Sequence, residues 1–218
     1  MRISYSKSFI LLHLPRTGVS SVIAALDDSL FVRAPQTSIN KLMSKYLWML
    51  PRSRDKTTFR AHETARHVRR LLPADVFEDF RKIAFVRNPY SWLVSLYELV
   101  LHSPNHRHFR TVEALGSFSG YVDWEIRRRK RHQHPYLLDR SGRMLVDQIG
   151  YFEHLAADAA RIFSQIDVDI APLPHVGKFT RRDYRDYYDD ATRQKVARHW
   201  TRDLELFGYD FDGLTGEA

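Results

Sequence analysis

The segment FILLHLPRTGVSS, residues 9–21, decides the fold class of this chain. It begins with a short apolar run typical of a buried strand, continues through a polar turn and ends in residues compatible with a helix. Lys82–Val86 is a second apolar run, and it leads into RNPYSWLVS, residues 87–95. Two strand–turn–helix units in one chain predict an α/β fold with a central parallel sheet flanked by helices.

The two polar turns have the composition of phosphate-binding turns. Each carries an arginine and hydroxyl side chains where the N-terminus of a helix presents backbone N–H groups, an arrangement that proteins use to bind phosphate. Ligands of parallel sheets lie beyond the carboxyl ends of the strands, so we expect both turns at one edge of the sheet. The sequence therefore predicts a ligand with two separate phosphate groups.

The two turns, in this order, resemble the donor-binding motifs of sulfotransferases. Residues 15–21 form a P-loop-like turn that is similar to the family's 5′-phosphosulfate loop, usually written P-K-T-G-x-T/S-S. Residues 87–97 are similar to the 3′-phosphate motif, R-N/D-P-x-x-R-x-x-S-x-Y. The likeness is greatest to the carbohydrate-type branch, which includes heparan 2-O-sulfotransferases and bacterial relatives. It extends through residues 59–65, 150–155 and 203–209.

The resemblance implies a single sulfotransferase domain over residues 1–218, with 3′-phosphoadenosine 5′-phosphosulfate (PAPS) as sulfuryl donor and adenosine 3′,5′-bisphosphate (PAP) as product. It implies a carbohydrate hydroxyl as acceptor and no metal ion. The formal net charge of +8 agrees with anionic ligands without identifying them. The donor-binding residues that it implies are Arg16, Thr17, Gly18, Val19, Ser20, Ser21, Arg87, Ser95 and Lys178.

Arg16 is the predicted catalytic residue of the first turn, because charge grows on the 5′-phosphate as the sulfuryl group leaves. The family usually has lysine at this position. Arginine can bind phosphate oxygens through two N–H groups, but it stays protonated and cannot act as an acid. Trp92 also departs from the family pattern, which often has arginine there, and this puts one ligand contact of the second motif in doubt.

His62 is the predicted general base, because imidazole titrates near neutral pH and can accept the proton of an acceptor hydroxyl. It matches a histidine thought to be the base in the 2-O-sulfotransferase-like branch. The alternative is a structural histidine, and Glu63 is the next candidate base. His13 matches a common family histidine and is predicted to support the first turn.

Two other functions are compatible with the composition. A nucleotide-dependent kinase would also need phosphate-binding turns, but the glycine–lysine ending of a Walker A loop is absent from residues 15–21. A basic, non-catalytic nucleic-acid-binding module would use basic and aromatic side chains, yet no segment matches a nucleic-acid-binding motif. We therefore expect no nucleic-acid partner. The sequence does not indicate an oligomeric state.

The absence of cysteine excludes disulfides, thiolate catalysis and zinc–thiolate sites. No apolar run approaches the ~20 residues that cross a bilayer, so we expect a cytoplasmic protein without a transmembrane segment. The histidines of residues 102–108 and 132–134 have no nearby carboxylate pattern in the sequence, so no metal site is predicted. The basic run 127–132 is interpreted as a solvated helix face or as a contact surface for an anionic acceptor.

Hydrophobic periodicity and helix-ending residues predict the remaining elements. Strands are predicted at residues 9–14, 57–61, 82–86 and 144–149. Helices are predicted at residues 19–26, 42–50, 62–72, 90–102, 121–131, 152–165 and 191–207, and residues 103–120 are predicted to be mostly loop.

Overall fold

The computed structural model describes residues 1–31, 62–129, 132–174 and 182–215. In these residues a four-stranded sheet has the order β1-β2-β3-β4. Its strands are β1 (Arg2–Ser4), β2 (Phe9–Leu11), β3 (Arg81–Val86) and β4 (Gln148–Tyr151). The predicted helix at 42–50 and strand at 57–61 lie outside the described residues.

The sheet is mixed. β2, β3 and β4 run parallel, with Leu11 opposite Ile83 and Val86 opposite Tyr151. β1 joins β2 antiparallel, with Ile3 opposite Ile10. The predicted α/β class and central sheet are confirmed, and the antiparallel edge strand is an addition that the sequence pattern did not indicate.

Short helices follow and separate the strands. They are α1 (Val19–Ala25), α2 (Ala65–Leu71), α3 (Ala74–Asp79), α4 (Pro89–Leu101), α5 (Phe109–Ala114), α6 (Phe118–Arg128), α7 (His134–Leu137), α8 (Leu155–Ser164), α9 (Asp190–His199) and α10 (Thr201–Phe207). Single 3₁₀ turns occur at Asp28–Leu30, Phe152–His154 and Tyr184–Tyr187. Among the described residues, no helix is long and apolar enough to cross a bilayer.

The chain divides into two compact units. Met1–Val86 and Pro135–Pro174 form the sheet unit, and Arg87–His134 with His175–Ala218 form the helical unit. The prediction of one domain over residues 1–218 stays a prediction.

The sheet unit has a core between β2, β3, α1 and α8. Phe9 of β2 packs edge-on against Phe163 of α8, with ring centroids 5.6 Å apart. Gly150 of β4 lies under Phe85, where an added Cβ would be 2.4 Å from a ring carbon. Glycine is therefore required at this position of the strand, since any side chain would collide with the buried ring.

The helical unit has an aromatic core. Trp92 of α4, Tyr121 of α6 and Trp200 are all buried in it. Because Trp92 is enclosed by apolar side chains, it contributes packing where relatives often have arginine. The Trp92 side chain is thus part of the core of this unit.

Several element boundaries differ from the predicted ones. The predicted strand 144–149 is displaced, because Leu145 N–H bonds to Leu137 O (2.9 Å) in a turn and the ladder with β3 begins only at Gln148. The predicted helix 191–207 is interrupted at Trp200, whose φ and ψ of −101° and 16° separate α9 from α10. Residues 103–120 are more helical than predicted, since they contain α5 and the start of α6.

Candidate functional site

The first turn connects β2 to α1 and is closed by a side-chain hydrogen bond. Leu12 N–H donates to Ile83 O (2.8 Å), which extends the strand pairing by one residue. The Thr17 hydroxyl then donates to Leu14 O (3.1 Å), closing the turn. Arg16 and Gly18 both have left-handed backbones, with φ of 61° and 81°. Left-handed residues in such a turn are typical of backbone concavities that bind anions.

Gly18 lies close to neighbouring side chains in addition to having a left-handed backbone. A Cβ added there would lie 2.5 Å from Leu155 Cδ2 and 3.1 Å from Phe152 Cδ2. The turn therefore packs directly against Leu155, the first residue of α8, and against Phe152 in the preceding 3₁₀ turn. This contact fixes the turn against the sheet unit.

The side chains of the first turn are not equally available to a ligand. Thr17, Val19 and Ser21 are buried, and the Thr17 hydroxyl proton is used inside the turn. Thr17 and Val19 can contact a phosphate through their backbone N–H groups, whereas the Ser21 N–H donates to Gly18 O (2.9 Å). Ser20 is exposed, and its Oγ lies 3.4 Å from His13 Nε2. Ser20 is thus the side-chain hydroxyl of this turn that is best placed for a ligand.

Arg16 is half-buried at the corner of the turn. Burial lowers the pKa of its guanidinium from the ordinary value, yet arginine keeps its charge at neutral pH. The left-handed backbone of a non-glycine residue costs about 1 kcal/mol, and such strain is often found where a side chain has a functional role. The geometry agrees with Arg16 as the cation of the first turn.

His62 lies beside the first turn. Its Nδ1–H donates to the backbone carbonyl of His13 (2.9 Å), and the two imidazole rings are 4.8 Å apart at 71°. His62 is exposed, whereas Glu63 is buried with its carboxylate 3.7 Å from His67 Nε2. Of the two candidate bases, His62 is therefore the one that an acceptor could reach.

His13 is uncharged at neutral pH. Burial lowers the pKa of its imidazole to about 4, and the positive charges of the chain's N-terminus and of Arg2 act in the same direction. Its ring stands between His62 and Ser20. This geometry agrees with the predicted supporting role of His13 in the first turn.

The second turn follows β3 directly and begins α4. Asn88 caps the helix by accepting the N–H of Tyr90 (3.0 Å), and Pro89 is in its first turn. The Nε–H of Arg87 donates to Ser91 Oγ (2.9 Å). A guanidinium at a capped helix N-terminus is a suitable arrangement for phosphate.

The other predicted donor-binding residues have different outcomes. Ser95 is buried on α4, one turn beyond Ser91. Lys178 and the neighbouring His175 lie outside the described residues. The hydrogen bond between Arg87 and Ser91 was not predicted. The sequence also gave no signal for Gln133, whose side chain bonds to the backbone of Arg87.

His132, His134 and Asp203 form a group with the composition of a metal site, and their ligand atoms lie within 4.8 Å of one another. The sequence shows no carboxylate near these histidines, because Asp203, whose Oδ1 is 2.6 Å from His134 Nδ1, lies 69 residues further along the chain than His134. The Asp203 carboxylate accepts hydrogen bonds from two backbone N–H groups and this imidazole. Its oxygens are thus already used in the fold.

The basic run is partly engaged within the helical unit. Arg128 donates to Glu125 Oε1 (3.0 Å), and its guanidinium lies 4.1 Å from the centroid of the Trp124 ring. Arg127 and Arg129 are exposed. The interpretation as an acceptor-binding surface therefore rests on these two exposed arginines among the described residues of the run.

An arginine-bearing turn after each of two parallel strands is typical of α/β proteins that bind phosphate. Residues 3–210 match the sequence model of the sulfotransferase family, and the chain belongs to this family. The predicted family is confirmed, and the match favours sulfuryl transfer over the kinase and nucleic-acid-binding alternatives. Sulfuryl transfer is accordingly the reaction to which the chain is assigned.

Among solved structures, the chain is similar to the mouse sulfotransferase SULT7A1 complexed with PAP, with 13% sequence identity and a TM-score of 0.46. The similarity covers 93% of this chain and 85% of that one. No curated protein sequence matches the chain at a significant level.

Proposed function

We propose that this protein transfers the sulfuryl group of PAPS to a hydroxyl group of a carbohydrate. The single observation that carries the proposed mechanism is the placement of His62, exposed and bonded to the backbone of His13 beside the first phosphate-binding turn. An acceptor hydroxyl is a poor nucleophile while it keeps its proton. An accessible imidazole next to the turn that presents the sulfuryl group can remove that proton.

We assign the 5′-phosphosulfate of the donor to residues 15–21 and its 3′-phosphate to the turn that begins at Arg87. The acceptor oxygen attacks sulfur, and the bond between sulfur and the 5′-phosphate oxygen breaks in line with this attack. His62 Nε2 accepts the hydroxyl proton. The electron pair of the broken bond stays on the 5′-phosphate, where Arg16 and the backbone N–H groups of the turn stabilise the added charge.

The proposed reaction uses no metal ion, because Arg16 supplies the positive charge at the leaving group. The carbohydrate acceptor is supported by the resemblance to the carbohydrate-type branch. It is also supported by the net charge of +8 and by the exposed Arg127 and Arg129, which suit an anionic polysaccharide.

The donor assignment is tested by calorimetric titration of the wild-type protein with PAP and with 5′-AMP. A charge-assisted contact to the 3′-phosphate should make PAP bind at least about tenfold more tightly. Arg87→Ala should remove most of this preference and leave AMP binding unchanged. Equal affinity of the wild type for both nucleotides would contradict the assignment of the second turn.

The acceptor is tested by transfer of labelled sulfate from PAPS to a set of sulfated and unsulfated polysaccharides, with small phenols as the alternative class. We expect incorporation into a polysaccharide. Incorporation into phenols alone would contradict the proposed acceptor and leave the donor assignment intact.

A further inference from the structure

We propose that Gln133 is a positioning residue for Arg87 and thereby sets the preference of the protein for a nucleotide with a 3′-phosphate. The buried side chain of Gln133 makes two hydrogen bonds to the backbone of Arg87. Its Oε1 accepts the Arg87 N–H (2.9 Å), and its Nε2 donates to the Arg87 carbonyl (2.7 Å). This inference rests on the proposed donor-binding role of Arg87.

The backbone of Arg87 needs such a partner because of its place in the chain. The ladder between β3 and β4 ends with Val86 opposite Tyr151, so Arg87 is the first residue beyond the paired strand. Buried backbone N–H and C=O groups are almost always hydrogen-bonded. The amide of Gln133 satisfies both groups at once, as a peptide unit of a neighbouring strand would. It therefore restricts both backbone torsions of Arg87.

The side chain of Arg87 is restricted at the same time. Its Nε–H donates to Ser91 Oγ (2.9 Å), and the Ser91 hydroxyl donates to Asn88 O (3.2 Å). Asn88 Nδ2 in turn donates to Asp210 O (2.8 Å). With the backbone held by Gln133 and Nε held by Ser91, the direction of the guanidinium is defined before a ligand arrives. Such preorganisation lowers the cost of ordering a side chain on binding.

Gln133 is itself fixed by a buried carboxylate. Asp203 of α10 accepts the backbone N–H of Gln133 through Oδ2 (2.7 Å). Its Oδ1 accepts both the backbone N–H (2.8 Å) and the Nδ1–H (2.6 Å) of His134. Asp203 is fully buried, so this network is shielded from water. The carboxylate thus holds the segment that carries the Gln133 amide.

The test compares PAP and 5′-AMP binding to the wild type and to Gln133→Met. Methionine has a similar volume and no hydrogen-bonding amide, so it removes both bonds to Arg87 and keeps the space filled. We expect the dissociation constant of PAP to rise about tenfold, the scale of one or two lost hydrogen bonds. AMP has no 3′-phosphate, so its dissociation constant should stay unchanged. In steady-state assays KM for PAPS should rise while kcat stays within about threefold.

Gln133→Glu is the second variant, because its carboxylate can still accept the Arg87 N–H but cannot donate to the Arg87 carbonyl. We expect it to fold and to lose part of the preference for PAP. Gln148→Met is the matched control. Gln148 lies on β4, and its amide bonds to the side chain of Gln165. This control should retain the wild-type ratio of the two affinities.

The outcomes separate this inference from the proposed function. A wild-type protein without a preference for PAP would overturn the donor assignment itself. A wild type that prefers PAP, together with Gln133→Met and Gln133→Glu variants of unchanged preference, would overturn only the positioning role. Equal loss of PAP and AMP affinity in both variants would also overturn it, since that result indicates general damage to the helical unit.

Discussion

The imidazole of His62 is bonded to the backbone of His13, with Nδ1–H donating to the carbonyl oxygen over 2.9 Å. A carbonyl can only accept, so this bond places the proton of neutral His62 on Nδ1. Nε2 then carries the lone pair that can accept a proton. The backbone that leads into the first turn therefore selects the tautomer required of a general base.

Replacement of His62 by alanine should lower turnover by roughly 100-fold or more, the scale expected when a general base is lost. PAP binding should stay close to wild type, because the phosphate-binding turns are retained. The measurements are steady-state sulfate transfer and calorimetric titration with PAP.

The control for this experiment is His67→Ala. His67 lies in the first helical turn of α2, in the same unit, and its Nε2 is 3.7 Å from the Glu63 carboxylate. It should retain turnover within a few-fold. Comparable losses in His67→Ala and His62→Ala would count against His62 as the base and favour a general structural effect of the α2 region.

Arg16→Ala should reduce kcat as well as donor affinity, because charge on the 5′-phosphate grows during the reaction. The loss of one charged donor at a developing oxyanion lowers kcat by about 100- to 1000-fold. Arg16→Lys keeps the charge and restores the residue usual in the family, so it should remain within about tenfold of wild type. Steady-state kinetics on both variants decide the point. A selective rise in KM without a fall in kcat for Arg16→Ala would assign Arg16 to ground-state binding alone.

The sequence predicted those parts of the fold and site whose residues are neighbours in the chain. The apolar runs of β2 and β3, followed at once by arginine and hydroxyls, predicted both turns because strand, turn and helix are contiguous in each. The capping of α4 by Asn88 could be predicted for the same reason, since Pro89 and the apolar helix follow it directly.

The rest of the site depends on contacts between residues far apart in the chain. Gln133 bonds to Arg87, and Asp203 to Gln133, yet none of these side chains has a periodic or local signature. The antiparallel pairing of β1 depends on β2 in the same way, because a three-residue strand is too short for alternation to be recognised. The break at Trp200 was missed since the residues on both sides favour a helix, and the burial of Trp200 depends on residues far away in the chain.

The stability of the protein should decrease as the pH falls from about 6.5 towards 4, partly because of His13. Its pKa of about 4 in the fold is below the ordinary 6.5, so in this range the unfolded chain binds a proton that the folded chain does not. Stability from this group is complete above pH 6.5 and is lost as the pH approaches 4. Burial also lowers the pKa values of His132 and His199, so these two groups add to the loss of stability at acidic pH.

His13→Asn removes this titrating group and retains the backbone carbonyl that accepts from His62. Urea unfolding between pH 4.5 and 6.5 should therefore show a smaller dependence of stability on pH in the variant, while the contributions of His132 and His199 persist. An identical slope in the two proteins would show that His13 is not desolvated in solution.

Gly18 and Gly116 provide a matched pair for the last prediction, because both have left-handed backbones, with φ of 81° and 67°. A Cβ at Gly116 meets nothing within 4 Å, whereas at Gly18 it lies 2.5 Å from Leu155 Cδ2. Gly116→Ala should cost about 1 kcal/mol of unfolding free energy, the strain of a left-handed alanine. Gly18→Ala should cost about 1–3 kcal/mol more through overpacking, and it should weaken PAP binding by displacing the first turn. Urea unfolding and PAP titration measure both effects. Equal destabilisation by the two substitutions would mean that the Leu155 side chain moves away at no cost in free energy. Contact with Leu155 would then not hold the turn in place.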